Sequence, residues 1–268
     1  MNSSRIRITL TNNCISKATK DQMWDMYQPY YSYKKSSFLA RFDKNTHYAL
    51  YHKGEELVGF TGIRINEVKI DGKEQLLIYF GQTVVTHACR GKNLIQRTGM
   101  QLIRTYWKHI VFSNAWFWAD ALSYKAYMVF AKSLNEFYPT RQYATPESVK
   151  SVIDFIGSVH YHGTYCAETG TVRKDVKYVT DPSSVIRPED QQHPDIAFFA
   201  TANPKSKEGH GLITLAPISG ANVRRLIRRS LSCLLKKFTR RSATYWTMNV
   251  RHQLKAARYP ESVSSPVS

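Results

Sequence analysis

Residues 76–99 read LLIYFGQTVVTHACRGKNLIQRTG, and the hydrophobic pattern changes within this stretch. The run from Leu76 to Val85 is almost continuously apolar, as expected of a buried strand. From Leu94 onward the apolar residues recur at helical spacing. The segment between the strand and the helix, Thr86–Asn93, is short, polar and basic. The stretch therefore predicts a buried strand, a basic loop and a helix, in that order.

This loop has the chemistry of a phosphate-binding turn. A helix N-terminus offers unpaired backbone N–H groups and the positive end of the helix dipole to an anion. Gly91 allows close approach of the backbone, while Arg90 and Lys92 add positive charge. The alternative is an ordinary strand-to-helix turn with solvated basic side chains. A single glycine does not separate the two interpretations.

The elements around this stretch predict a mixed α/β fold. Alternation of Ile6, Ile8 and Leu10 predicts a first strand, and Asp71-Gly72 is a hairpin signal within a three-strand meander. The predicted strands are residues 6–10, 47–52, 57–70, 74–85, 115–119, pieces of 161–179, and 211–216. The predicted helices are one with Met23, Met26, Tyr27 and Tyr30 on a face, Ser36–Phe42, one with Ile95, Gly99, Leu102, Tyr106 and Ile110 on a face, Ser123–Glu136, a helix from Pro146 to about Gly157, and Ile196–Ala202.

The residues of the loop resemble motif A of the GNAT acyltransferases. Val85, four further residues and then Arg90-Gly91-Lys92 carry the likeness, and the order of elements over residues 1–145 agrees with it. The chain looks most similar to a poorly characterised bacterial GNAT-like branch. The resemblance implies a mostly antiparallel sheet flanked by helices, and acyl-CoA, most readily acetyl-CoA, as co-substrate. The residues it assigns to the cofactor are Val84, Val85, Arg90, Gly91, Lys92, Asn93, Leu94 and Ile95.

Three positions depart from the family pattern. Asn93 and Ile95 stand where the family has glycines or small residues. Asn tolerates left-handed backbone angles, whereas the branched side chain of Ile95 is expected to crowd the phosphates. Phe130, aligned through Ala126, stands where the family often has a tyrosine that protonates the thiolate. We expect no single tyrosine to be indispensable; if one replaces that acid, Tyr127, one helical turn before Phe130, is the better candidate and Tyr124 the second. Otherwise water donates the proton, or the protein is not a typical catalyst.

Acyl transfer also needs a base to take a proton from the amine. Asp120, after the fifth strand, and His87, in the loop, are the candidates. Asp120 could instead cap the next helix, and His87 could be a solvated loop residue. A backbone N–H at the edge of the splayed central strand is expected to stabilise the oxyanion.

The C-terminal fifty residues carry most of the charge excess. The chain has 38 Lys and Arg against 20 Asp and Glu, a formal net charge of +18. Residues 223–241 alternate an apolar face with a basic one at helical spacing. The apolar face is Val223, Leu226, Ile227, Leu231, Leu234, Leu235 and Phe238. Such a helix suits an anionic membrane surface, although docking on the domain would use the same apolar face, and nucleic acid is a third, weaker interpretation.

Other features limit the class of protein. His160, His162 and Cys166 could approach a metal if all lay on one strand, but no second cluster supports this and no metal is expected. The N-terminus MNSSRIRITL has no apolar signal region, and no run approaches the roughly 20 residues of a membrane span. The four cysteines have no C-x-x-C spacing. A cytoplasmic location follows, with peripheral association at the inner membrane face an option.

These observations predict three segments and one activity. Residues 1–145 form a GNAT-like core that binds acyl-CoA, residues 146–218 an extension packed on it, and residues 219–268 a basic amphipathic helix and tail. The activity is transfer of an acyl group from acyl-CoA to an amine. The alternative is a degenerate, non-catalytic GNAT module that binds anionic membrane or nucleic acid through its tail.

Overall fold

A central sheet of eight strands organises the protein. The computed structural model describes residues 5–174 and 178–230, and within them the strand order is β1-β3-β4-β5-β6-β10-β8-β7. The strands are β1 (Ile6–Asn12), β2 (Tyr31–Ser32), β3 (His47–Lys53), β4 (Glu56–Ile70), β5 (Lys73–Val85), β6 (Asn114–Ala121), β7 (Tyr165–Cys166), β8 (Thr171–Arg173), β9 (Tyr178–Val179) and β10 (His210–Pro217). Strands β2 and β9 form a separate two-stranded sheet.

Helices cover both faces of this sheet. They are α1 (Lys17–Tyr27), α2 (Lys35–Leu39), α3 (Arg41–Lys44), α4 (Leu94–Thr105), α5 (Trp107–Phe112), α6 (Tyr124–Ser133), α7 (Glu147–His160), α8 (Pro194–Ala202) and α9, which spans residues 220–230 of the described chain. Successive strand residues point to opposite faces. Leu76 and Ile78 therefore pack with α4, and Leu77 and Tyr79 pack with α7.

The antiparallel meander β3-β4-β5 forms where the sequence predicts it. Asp71 and Gly72 have φ angles of 48° and 76°, the left-handed pair that joins two twisted strands in a tight hairpin. Strands β4 and β5 then pair from Ile70↔Lys73 to Gly59↔Val85. The mixed, mostly antiparallel α/β sheet predicted from the sequence is confirmed.

Strands β5 and β6 are parallel and pair over a short distance. The register runs from Gln75↔Asn114 to Tyr79↔Trp118, and no further pair between these strands follows in the described chain. Strand β10 lies antiparallel on the other side of β6, from Leu212↔Ala121 to Pro217↔Trp116. The two strands therefore part after Tyr79, while each keeps its outer neighbour.

A bulge in β5 lies opposite this gap. The β4–β5 register shifts between Phe60 and Gly62, so that Gln82 and Thr83 face one residue of β4. Gln82 has a φ of 50°, which is strained for a residue other than glycine. Its buried side chain accepts from Asn45 Nδ2 (3.2 Å) and the Tyr48 hydroxyl (2.8 Å), and its Nε2 donates to Phe38 O (3.0 Å).

Several predicted helix boundaries are wrong by a few residues. The helix that starts at Leu94 ends at Thr105, because Tyr106 leaves helical geometry before α5 begins. The predicted helix Ser123–Glu136 ends at Ser133. The backbone N–H groups of Asn135 and Glu136 are bound instead by Asn222 Oδ1, at 2.8 and 3.1 Å. Pro146 is extended and precedes α7, so it is the N-cap and not the first helical residue.

Residues 146–218 are integrated into the same sheet. Strand β10 pairs with both β6 and β8, and the described residues up to Leu226 form one compact unit. Leu226, on the predicted apolar face of the tail, is buried with Phe130 and Leu134. The remainder of that predicted helix, residues 231–241, lies outside the described residues. No helix in the described chain has the length and apolar character of a membrane span.

We predict that Gln82→Ala lowers the free energy of unfolding by about 2–4 kcal/mol. The change leaves buried polar partners unsatisfied and keeps a side chain in the left-handed region. Urea denaturation gives the value, with the exposed Lys73→Ala on the same strand as control. A loss no larger than that of the control would show that the side chain of Gln82 does not hold the bulge.

Candidate functional site: a basic loop beside a buried Asp–Lys pair

The loop between β5 and α4 contains two residues with left-handed backbone. Gly91 has a φ of 75° and Asn93 a φ of 53°, and Lys92 stands between them. Helix α4 begins directly after Asn93, so the N–H groups of its first turn have no intrahelical acceptor. Asn93 therefore adopts the backbone geometry that the glycine of the family pattern would provide, and the loop tolerates this departure.

Arg90 fixes the loop and already contacts an acidic side chain. Its Nε donates to Val85 O at 3.1 Å, which ties the loop back to the end of β5. Its Nη1 donates to Asp181 Oδ2 at 3.1 Å, and the guanidinium lies 4.9 Å from the ring centre of Tyr30. The arginine that the sequence assigns to phosphate thus binds a carboxylate of the chain itself.

This carboxylate belongs to residues 178–185, which we call the strap. The strap starts with β9, which pairs with β2, and the N–H of Thr180 donates to Tyr30 O at 3.0 Å. Further along, the Lys125 ammonium and the Tyr124 hydroxyl donate to Ser183 Oγ and Ser183 O. The strap therefore runs from β2 to the basic loop and the first turn of α6.

Asp181 is held in its ionised form. Burial alone would raise its pKa, but the hydrogen bonds from Ser183 and the charge of Arg90 outweigh it, so that the pKa is lowered. Ser183 donates through both its N–H and its hydroxyl, at 2.9 and 2.6 Å from Asp181 Oδ1. An anion thus lies against Arg90 at the predicted phosphate loop.

The other predicted cofactor residues lie at different depths around this loop. Lys92 is exposed, whereas Val84 and Leu94 are buried in the core. The side chain of Ile95 lines an apolar cavity of about 50 Å³ between α4 and α6, together with Phe80, Gly99 and Phe130. Its branched side chain therefore contributes to a cavity wall.

The two candidate tyrosines of α6 have different surroundings. Tyr127 is fully buried among aromatic rings of α8, and its hydroxyl donates to Pro139 O at 3.1 Å. Tyr124 is half-buried at the first turn, where its hydroxyl reaches the strap at Ser183 O (3.4 Å). Of the two, Tyr124 is the one beside the basic loop.

Asp120 is the centre of a buried polar cluster next to the gap between β5 and β6. The Tyr79 hydroxyl lies 3.1 Å from both carboxylate oxygens. The Tyr161 hydroxyl and the Lys174 ammonium both donate to Oδ2. The alternative that Asp120 caps the following helix does not hold, because its carboxylate is directed to these three side chains.

Lys174 is the partner that sequence reasoning missed. Its side chain and that of Asp120 are only 5% and 6% exposed. Burial lowers the pKa of Lys174 to about 8, although the Asp120 carboxylate opposes the shift. Burial and the same carboxylate raise the pKa of Tyr161. A lysine that exchanges its proton near pH 8 beside a carboxylate is suited to proton transfer.

The predicted histidines lie apart from this cluster. His87 is exposed in a short turn after β5. His160 is the last residue of α7 and stacks on the Trp118 ring, whereas Cys166 is exposed on β7. The premise that His160, His162 and Cys166 share one strand is wrong. Among the described residues, no group of three or more His, Cys, Asp or Glu is placed to hold a metal ion.

We predict that Lys174 contributes a rise in the free energy of unfolding as the pH increases from about 8 to about 10, which the tyrosines with raised pKa, Tyr79 and Tyr161 among them, oppose as the pH nears 10. An unfolded lysine keeps its proton to about pH 10. By that pH, Lys174 in the folded chain has released its proton. The unfolded state therefore binds more protons, and it loses stability relative to the folded state as the pH rises. Lys174→Met should remove this rise and also destabilise the fold by about 3 kcal/mol, because Asp120 loses its cation.

Urea denaturation at pH 7, 8, 9 and 10 measures this, with the exposed Lys150→Met as control. A rise that survives in Lys174→Met would assign the titration to another group. A difference between the wild type and Lys174→Met that does not grow from pH 8 to pH 10 would refute the low pKa of Lys174.

The comparisons with known proteins concern the fold. No protein-family model matches the chain, and no curated protein matches it. Among solved structures, a probable N-acyltransferase of Enterococcus faecalis matches with 12% identity and a TM-score of 0.34, over 46% of this chain and 31% of that one. The chain therefore spans about a third of that protein.

Two shorter proteins match over more of their own length. An aminoglycoside acetyltransferase from an uncultured soil sample matches with 10% identity over 53% of this chain and 98% of that one, at a TM-score of 0.36. An acetyltransferase of Bacillus cereus matches with 9% identity over 52% and 83%, at a TM-score of 0.34. Likeness at this level says nothing of activity. The strand order, the parted parallel strands and the basic loop before α4 agree with the GNAT-like fold expected from the sequence.

Proposed function

We propose that this protein transfers an acyl group, most readily acetyl, from acyl-CoA to an amine. One observation carries the proposal. The loop with two left-handed residues before α4 holds an anionic carboxylate on Arg90, beside the gap between β5 and β6. A pyrophosphate would take the Arg90 guanidinium from Asp181, because it carries more negative charge.

The acyl donor then lies along the gap. Its pyrophosphate binds the backbone N–H groups from Gly91 to Ile95 and the Arg90 guanidinium. For this to happen, Asp181 must first release Arg90. Past Tyr79 the edge of β5 has no partner on β6 in the described chain. Its backbone N–H groups are the donors we assign to the thioester oxygen as negative charge develops there.

We assign the acid–base chemistry to the cluster around Asp120. The amine nitrogen attacks the thioester carbon, a C–N bond forms, and the proton of the amine passes to the Asp120–Lys174 pair. The C–S bond then breaks and the thiolate leaves. The pKa of Lys174, about 8, lies close to the pH at which such a transfer must operate. His87, exposed in its turn, is the weaker candidate.

The thiolate must gain a proton without the usual tyrosine. Phe130 has no proton to give, and the proton of Tyr127 is bound to Pro139 O. Tyr124, beside the loop, and water are therefore the proposed donors. We expect no single tyrosine to be indispensable, and this expectation follows from the positions of the three side chains.

We predict that Arg90→Glu weakens CoA binding about tenfold or more. The change replaces a charge-assisted hydrogen bond to phosphate with repulsion. Calorimetric titration of CoA measures it, and Arg104→Glu, in the last turn of helix α4 that follows the loop, is the matched control for net charge. Equal affinities in the two variants would place the pyrophosphate elsewhere. Binding without thiol release from acetyl-CoA with any amine would make the protein a binding module.

We predict that Asp181→Asn strengthens CoA binding severalfold. The substitution removes the negative charge that competes for Arg90, so less free energy is needed to free the loop. The control is Glu189→Gln, which removes a carboxylate from an exposed ion pair with Arg187. An unchanged or lower affinity in Asp181→Asn would show that Asp181 does not occupy the phosphate position.

A further inference from the structure

A second basic site lies on the sheet face that α7 covers. It is a cavity of about 530 Å³ between α2 and α3, strand β4 and the end of α7. Its lining includes the side chains of Tyr33, Arg41, Lys44, Arg64, His160 and Tyr161. Three of them are cations, and none of the residues lining the cavity is acidic. A volume of this size suits a small molecule.

The two guanidinium groups are held in place by neutral groups. Arg41 Nε donates to the Tyr33 hydroxyl at 3.0 Å. Arg64 Nε donates to Lys44 O at 3.0 Å, and its Nη1 lies 3.2 Å from His160 Nδ1. In the described part of the chain, Arg41, Lys44 and Arg64 have no carboxylate within ion-pair distance. Each guanidinium therefore keeps N–H donors for a ligand.

The surroundings show that the cavity is electrically positive. Burial, followed by the charges of Arg64 and Lys44, lowers the pKa of His160 to about 4. At neutral pH the ring is uncharged, so its Nδ1 accepts from Arg64. The nearest buried carboxylate, Asp120, is already paired with Lys174. Asp120 also attracts Arg41 at longer range, but it has its own cation in Lys174, so the three cations lack a matching counter-charge and favour a bound anion.

The cavity is joined to the proton-transfer cluster. Tyr161 lines the cavity, and its hydroxyl donates to Asp120. The Arg64 guanidinium lies 5.2 Å from the ring centre of Tyr79, which also donates to Asp120. A molecule whose anionic group is bound by the cations would thus have its other end directed to the cluster that takes the proton of the amine.

We propose that this cavity binds the anionic group, a carboxylate or a phosphate, of the acyl acceptor. The proposal rests on the proposed function, because it names the class of acceptor for the same reaction. The acceptor is a small amine with an acidic group. The planar guanidinium groups of Arg41 and Arg64 match both carboxylate and phosphate.

The first test measures anion binding without any acyl donor. Inorganic phosphate and acetate are titrated calorimetrically into the wild type, Arg64→Gln, Lys44→Gln and the control Lys69→Gln, which removes a cation from β4 outside the cavity. We expect binding about tenfold weaker in Arg64→Gln, a smaller loss in the exposed Lys44→Gln, and no change in the control. Equal affinity in wild type and both cavity variants, or no binding to the wild type, would overturn the proposal.

The second test compares matched acceptors with acetyl-CoA as donor. Thiol release is followed with phosphoethanolamine, β-alanine and ethanolamine, which present a phosphate, a carboxylate and no anion. We expect higher kcat/KM for an anionic acceptor, with the preference lost in Arg64→Gln. The better anionic acceptor identifies the group. A preference for ethanolamine, or one that persists in Arg64→Gln, contradicts the proposal.

Failure of the two proposals can be told apart. If CoA binds and the anions do not, the acyltransferase proposal stands and the anionic acceptor is wrong. If the anions bind in the cavity and CoA does not bind at all, the acyltransferase proposal fails, and the assignment of the cavity to an acceptor fails with it. Should Arg64→Gln not fold, Lys44→Gln decides both tests, because Lys44 is exposed.

Discussion

The site depends on where β5 and β6 stop pairing. Beyond Tyr79 and Trp118 the strands part, but β4 still binds β5 and β10 still binds β6. The gap is therefore held open by pairing on both outer sides. Tyr79 lies across it only because residue 81 is glycine, since a Cβ there would come 2.2 Å from the Tyr79 hydroxyl. That placement brings the hydroxyl to Asp120.

The sequence pattern alone predicted the elements that depend on a few neighbouring residues. The Asp71-Gly72 hairpin, the apolar run of β5 and the basic loop before α4 each follow from adjacent side chains. The same adjacent residues predicted a positive charge at Arg90 and tolerance of a left-handed backbone at Asn93. Helix ends were less certain because tertiary contacts decide them, as Asn222 does when it takes the N–H groups after α6.

The polar cluster and the basic cavity could not be predicted in this way. Lys174 is 54 positions from Asp120, and Tyr161 is 41 positions away. Arg64 meets His160 across 96 positions. Each of these residues has an ordinary local sequence, and only the strand order of the sheet brings them together. Asp120 was proposed from its place after a strand, but its partners carry no local signal.

The strap has a consequence for the order of events. Its β9 pairs with β2, and Tyr33, just after β2, lines the basic cavity, while Asp181 holds Arg90 at the loop. In the proposed reaction, a pyrophosphate that displaces Asp181 would loosen a segment whose β9 pairs with the strand that leads to this cavity. Such linkage is reciprocal. A ligand that binds better when the strap is loose binds more tightly in the presence of the acyl donor, and it raises the affinity for the donor by the same factor. The two substrates would then bind cooperatively, and departure of the donor would let Asp181 return to Arg90.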